Sequence, residues 1–95
     1  MTTFIMTGRY SVDAVKQISA SRTGKGTRII GQCGGKVVAI YATMGCTDLL
    51  VIAEFPGVAE AVKASVALCK ATGISFATVP ALAVGEFDKL VSGKS

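Results

Sequence analysis

Apolar and polar positions alternate with a period of two along residues 3 to 10, putting Phe4, Met6, Gly8 and Tyr10 on one side and Ile5, Thr7 and Arg9 on the other. That spacing predicts a first strand. Ser11 then offers a helix N-cap, and Val12, Val15 and Ile18, followed by Ile29, Ile30 and Cys33, recur at helical spacing. A helix over about 12 to 33 is expected, with a kink or break in its glycine-bearing middle, Ser19 to Thr27. Each interior glycine there costs about 1 kcal/mol relative to alanine. Gly34-Gly35 supplies a left-handed stop.

A second strand is expected over Val37 to Met44, with Val38, Ile40, Ala42 and Met44 opposite Val37, Ala39, Tyr41 and Thr43. A turn at Gly45 to Thr47 leads to a third strand, Asp48 to Phe55, in which Leu50 and Ile52 oppose Leu49, Val51, Ala53 and Phe55. Neither side of that strand is polar. Pro56-Gly57 opens a second helix whose stripe Val58, Val62, Val66 and Cys69, with Ala61 and Leu68 beside it, is the expected buried side. Gly73 ends it. A fourth strand begins at Ile74, and Pro80 assigns it to a sheet edge or a bulge because proline cannot donate to a ladder. A short helix, about Glu86 to Val91, and a polar tail from Ser92 to Ser95 complete the chain.

The order β, α, β, hairpin, β, α, β is a split βαβ motif. It predicts an α+β, ferredoxin-like βαββαβ domain over residues 1 to 95, an antiparallel four-stranded sheet with both helices on one face. Helices then cover only one sheet face, while strands two and three are apolar on both. Burying one exposed aliphatic side chain is worth about 1.5–3 kcal/mol, so residues of the Tyr41, Leu49 or Val51 kind call for a covering surface. The C-terminal segment is too short to provide one, and self-association as a homodimer or a multiple of it is the expected solution.

Composition agrees. Of the 95 residues, 51% are hydrophobic and 17% charged, more apolar than a small domain solvated all round. No run of about 18 apolar residues predicts a membrane span, and the strand-like Thr2-Thr3-Phe4-Ile5 differs from a basic leader, so a cytoplasmic protein is expected. Cys33, Cys46 and Cys69 form no Cys-x-x-Cys pair, which argues against a disulfide framework or zinc site. The absence of histidine removes Ser-His and Cys-His pairs, a haem proximal ligand and His-based metal sites. No cofactor is expected.

Six basic residues precede position 37 against one acid, Asp13. Without a basic run or interleaved aromatics this reads as a solvated face and not as a nucleic-acid surface. Arg22-Thr23-Gly24-Lys25-Gly26-Thr27 lacks the spacing and preceding strand of a phosphate loop. If the helix breaks there, Arg22, Lys25 and Arg28 would still favour an anion at the new helix start. Asp48 reads first as a turn residue accepting backbone N–H groups, and second as a base or polar anchor with Arg9, Tyr10 or Tyr41 as neighbouring donors. Cys46, in the turn, is the one redox candidate, although no adjacent cation lowers its pKa; Cys33 and Cys69 read as small core residues.

Tyr10-Ser11, Gly34-Gly35-Lys36-Val37, Gly45-Cys46-Thr47-Asp48, Glu54-Phe55-Pro56 and Gly73-Ile74 together resemble the GYD-domain family of small bacterial proteins. The likeness spans nearly the whole chain, though Thr47 stands where the family signature has tyrosine. It implies a dimeric α+β barrel. Relatives of that architecture include monooxygenases, isomerases and ligand-sensing domains, so the fold alone does not choose a function. Three readings follow: a small-molecule-binding oligomer using Arg9, Tyr10, Tyr41 and Asp48 as its polar end; a cofactor-independent monooxygenase- or isomerase-like enzyme; and a purely structural assembly module.

Overall fold

The computed structural model describes residues 1–93, so the end of the expected polar tail, Lys94 and Ser95, lies outside the described residues. Strand β1 (Thr2–Tyr10) is followed by helices α1 (Val12–Lys16) and α2 (Ala20–Gln32), strands β2 (Lys36–Ala42) and β3 (Leu49–Phe55), helix α3 (Val58–Thr72), strand β4 (Ile74–Ala81) and helix α4 (Val84–Val91). The strands form one antiparallel sheet in the order β2-β3-β1-β4. The long helical excursions join β1 to β2 and β3 to β4, each linking a central strand to an edge strand, as a ferredoxin-like chain requires. Pro80 sits in β4 at the sheet edge, paired with Phe4, a place where a residue without an N–H is tolerated.

The expected first helix is two helices, and the break precedes the glycines. Ser11 Oγ accepts from Ala14 N–H at 3.0 Å and Ser19 Oγ from Arg22 N–H at 3.1 Å. Two serine caps eight residues apart thus start two helices, and α2 runs unbroken through Gly24 and Gly26. The caps fix where each helix starts, while the glycines, at about 1 kcal/mol each, are tolerated inside α2 because its Ile30 is packed in the core. At its far end α2 stops as expected. Gly34 adopts φ +84°, its N–H reaches Gly31 O at 3.0 Å, and Gly35 N–H reaches Ile30 O at 2.9 Å. This pair of bonds is a Schellman motif.

β2 departs from the expected alternation because it carries a bulge. Val37 pairs with Ala53 and Ala39 with Ile52, which leaves Val38 unpaired and returns Val37 and Ile40 to the same, core-packed side. The strand also ends at Ala42; Met44 is 97% exposed in the connection that follows. β3 keeps the expected faces. Val51, Ala53 and Phe55 are buried under the helices, and Leu50 and Ile52 lie half-buried on the other side.

α3 turns a different stripe inward from the one expected. Ala61, Ala64, Leu68 and Thr72 are buried, while Val58, Val62, Val66 and Cys69 are exposed. Both stripes are apolar, so side-chain size decides between them: alanines let the helix backbone approach the sheet closely. Ser65 Oγ and Thr78 Oγ1, 2.6 Å apart, fix α3 on β4. The core joins Phe4, Met6, Val51, Ala53 and Phe55 of the sheet to Ile30 of α2 and Ala61, Ala64 and Leu68 of α3. The Phe4 and Phe55 rings meet edge to face, with centroids 5.7 Å apart.

Gly35 makes room for that pair, since a Cβ on it would lie 2.5 Å from Phe55 Cε1. Gly35→Ala is therefore expected to cost about 1–3 kcal/mol in urea unfolding. Gly24, inside α2 with nothing within 4 Å of a built Cβ, gives the opposite result. Gly24→Ala should stabilise the fold by about 0.5–1 kcal/mol.

Candidate functional site

A cavity of about 60 Å³ lies between α2 and the helix-covered face of the sheet. Ile40, Leu49 and Val51 of the sheet and Ile30 and Leu68 of the helices line its apolar part. Gly26, Ile74 and Phe76 complete the apolar lining, and Tyr10, Arg22, Thr23, Thr27 and Thr72 supply the polar groups. A single water needs roughly 10–15 Å³ by this kind of measure, and a cavity of about 150 Å³ takes up benzene. The space as it stands suits a molecule of a few heavy atoms.

Its polar wall is built by three elements. The Arg22 guanidinium lies over the Tyr10 ring, 5.0 Å from its centroid, and its Nη1 donates to Ala14 O, tying α2 to the preceding helix. Guanidinium has five N–H donors in a planar fork, suited to a carboxylate or phosphate oxygen. Tyr10 N–H donates to Asp48 Oδ2 at 2.9 Å. Asp48 also places its own N–H on Gly8 O at 2.8 Å and accepts Thr43 N–H at 2.9 Å. Its carboxylate thus joins the entry of β3 to the end of β1, a longer reach than the bonding within the hairpin that the sequence suggests.

The four residues expected at a polar end divide between the two faces. Tyr10 and Asp48 meet through their hydrogen bond, and of the four only Tyr10 lines the cavity. Arg9, exposed, alternates with Tyr10 along β1 and so sits on the uncovered face, as does the exposed Tyr41, which pairs with Leu50. Arg22 and Thr27 belong to the site instead, and the signal for them was the charge and small residues of the Arg22 to Thr27 segment. Cys46 is exposed in the loop, Cys33 packs against the core, and Cys69 is exposed on α3, contrary to the core position expected for it. Among the described residues no group of three or more His, Cys, Asp or Glu gathers as a metal site would require.

The uncovered face is ordered in rows by the strand register. Ala39, Ile52, Ile5 and Val79 lie side by side across the four strands, and Tyr41, Leu50, Thr7 and Ala77 form the next row. Lys36, Glu54 and Thr3 edge this apolar centre at one end, and Arg9 and Ser75 at the other. No helix covers it. Every residue of α4 is exposed, and no helix among the described residues is long and apolar enough to cross a membrane.

A four-stranded antiparallel sheet in this order, helices on one face, defines a ferredoxin-like α+β domain. The chain belongs to the GYD-domain family, whose profile matches residues 4–91. Comparison with curated proteins and with solved structures returned no match.

The hydrogen bond from Tyr10 to Asp48 predicts a graded response in chemical unfolding. Asp48→Ala, which leaves the Tyr10 N–H without its acceptor, is expected to cost about 1–2 kcal/mol. Asp48→Asn keeps an oxygen in place and should recover most of that loss.

Proposed function

We propose that the protein is a homo-oligomer built by pairing the uncovered sheet faces, each subunit holding a small molecule with an apolar body and an anionic head in the cavity under α2. The observation that carries the association is the uncovered face itself. Its centre is apolar on all four strands and its ends are polar, the anatomy of an interface with a dry core and a wet rim. Two copies related by a two-fold axis would each cover what the other leaves open.

The ligand reading rests on the cavity wall. Arg22 and Tyr10 supply a cation and a phenol beside aliphatic side chains, while no carboxylate or thiol lines the space. That set favours holding an anionic head over abstracting a proton, because no carboxylate is among the lining side chains. Binding is therefore preferred to the enzymatic reading, and an existing cavity favours it over a purely structural module.

Light scattering tests the association. Ile52→Asp changes a half-buried residue of the uncovered face and should halve the mass while leaving circular dichroism unchanged; an unaltered mass would sink the paired-sheet reading. Val51→Asp, at a position only 3% exposed under the helices, should unfold the chain instead. For the ligand, thermal unfolding with acetate, butyrate or inorganic phosphate is the measurement. At tenfold its dissociation constant a ligand adds about 1.4 kcal/mol, on the order of 5–10 °C. Arg22→Gln should abolish the shift, and no shift with any of the three anions in the wild type would exclude this anion site.

A further inference from the structure

Helix α4 presents Val84, Phe87, Leu90 and Val91, each between 52% and 72% exposed, on one face of an eight-residue helix that buries none of its residues. A helix of that length is unstable in water unless its apolar face is packed, since isolated helices shorter than roughly 12–15 residues are marginal. The chain is also more extended than its size requires. Its radius of gyration is 14.5 Å and its longest dimension 50 Å, against about 12.4 Å for the radius of gyration of a compact chain of this length. Among the described residues α4 is thus an arm that buries none of its side chains against its own subunit.

A matching surface is free on α3. Val58, Val62 and Val66 are 63%, 55% and 49% exposed and form a straight ridge at four-residue spacing. From Val58 to Val66 that ridge is about 12 Å long at 1.5 Å per residue, as is α4. Charge agrees as well. By helical spacing the exposed Lys63 and Lys70 lie on one flank of the ridge, and the exposed Glu86 and Asp88 lie on the two opposite flanks of the apolar face of α4, so whichever way the arm is laid one carboxylate meets the lysine flank. The two surfaces are apolar in the middle and opposite in charge at the edge.

We propose that α4 of one chain docks along the Val58, Val62 and Val66 ridge of α3 in a second copy, and that the contact is reciprocal. The ridge lies on the helix layer, away from the uncovered sheet face, so this interface is separate from sheet pairing and stands whether or not that pairing occurs. A chain carrying both interfaces assembles beyond a dimer, because each copy then meets two different neighbours.

Sedimentation equilibrium on full-length variants tests it. Phe87→Asp on the arm and Val62→Asp on the ridge should each halve the mass of the wild type, with circular dichroism confirming that the sheet and α3 remain folded. An equimolar mixture should regain an associated species that neither variant forms alone, because one chain still offers an arm and the other a ridge. Should either variant fold poorly, Lys63→Glu with Lys70→Glu should weaken association at least tenfold, and Glu86→Lys with Asp88→Lys added on the other chain should restore it. An unchanged mass for Phe87→Asp overturns the proposal, as does a mixture that stays dissociated. If Ile52→Asp suppresses the Phe87-dependent association and Val62→Asp does not, the arm sits on the sheet and the ridge assignment is wrong. A dissociating effect of Ile52→Asp that adds to that of Phe87→Asp marks two independent interfaces.

Discussion

How closely one helix layer can approach one face of the sheet governs the rest of this structure. Ala61 and Ala64 on α3, Ala53 on β3 and the missing side chain at Gly35 bring backbone and sheet near enough for Phe4, Met6 and Phe55 to be fully buried. With short side chains between the layers, the packing is dense without being deep. The same choice turns the valines of α3 outward. It also leaves the opposite face of the sheet without a helix, because the helices that pack do so on one side only. The exposed valine ridge and the apolar sheet face are therefore two consequences of one packing decision.

Strand positions were legible in the sequence because a period of two separates Phe4, Met6 and Gly8 from Ile5 and Thr7 without ambiguity. The edge position of β4 followed from the split motif and from Pro80. The failures have a common physical cause, which is that hydrophobicity alone cannot rank two apolar choices. Val37, Val38, Ala39 and Ile40 are all apolar, so a bulge that swaps their faces leaves no mark on the pattern. Both stripes of α3 are apolar too, and alanine against valine, a matter of volume, selects the buried one. The break between α1 and α2 is set by a local hydrogen bond from Arg22 N–H to Ser19 Oγ, not by the glycines. In the site, Asp48 was recognisable as a residue whose carboxylate takes backbone N–H groups, but its partner on β1 depends on strand pairing. Arg22 stood out as a charge in a small-residue segment, and only the fold sets it over Tyr10.

The cavity wall and the frame of the fold share residues. Arg22 joins α2 to Ala14 and lies on Tyr10, and the backbone of Tyr10 is held by Asp48 at the start of β3. An anion taken by the guanidinium would therefore act on the junction of α1, α2 and two strands at once. Binding there would draw stability from groups that already position one another, so ligand affinity and the order of the α1–α2 break are expected to be coupled.

The basic excess of the first third of the chain also changes meaning once it is placed. Arg22 is drawn into the cavity wall, Lys36 and Arg9 mark opposite ends of the uncovered sheet face, and Lys16, Lys25 and Arg28 are exposed on the helices. A nucleic-acid surface needs its cations gathered along one track with phosphate-scale spacing, preferably with aromatic rings between them. Here three of the six serve separate local purposes, and the exposed Tyr41 is in the apolar centre of the sheet face, away from the helical lysines. The charge that looked like a single feature in the sequence is divided by the fold into a cation in the cavity wall, two ends of a sheet face and an exposed helix surface. This division is what the proposed assembly would need, with copies of the chain and a small anion as its partners.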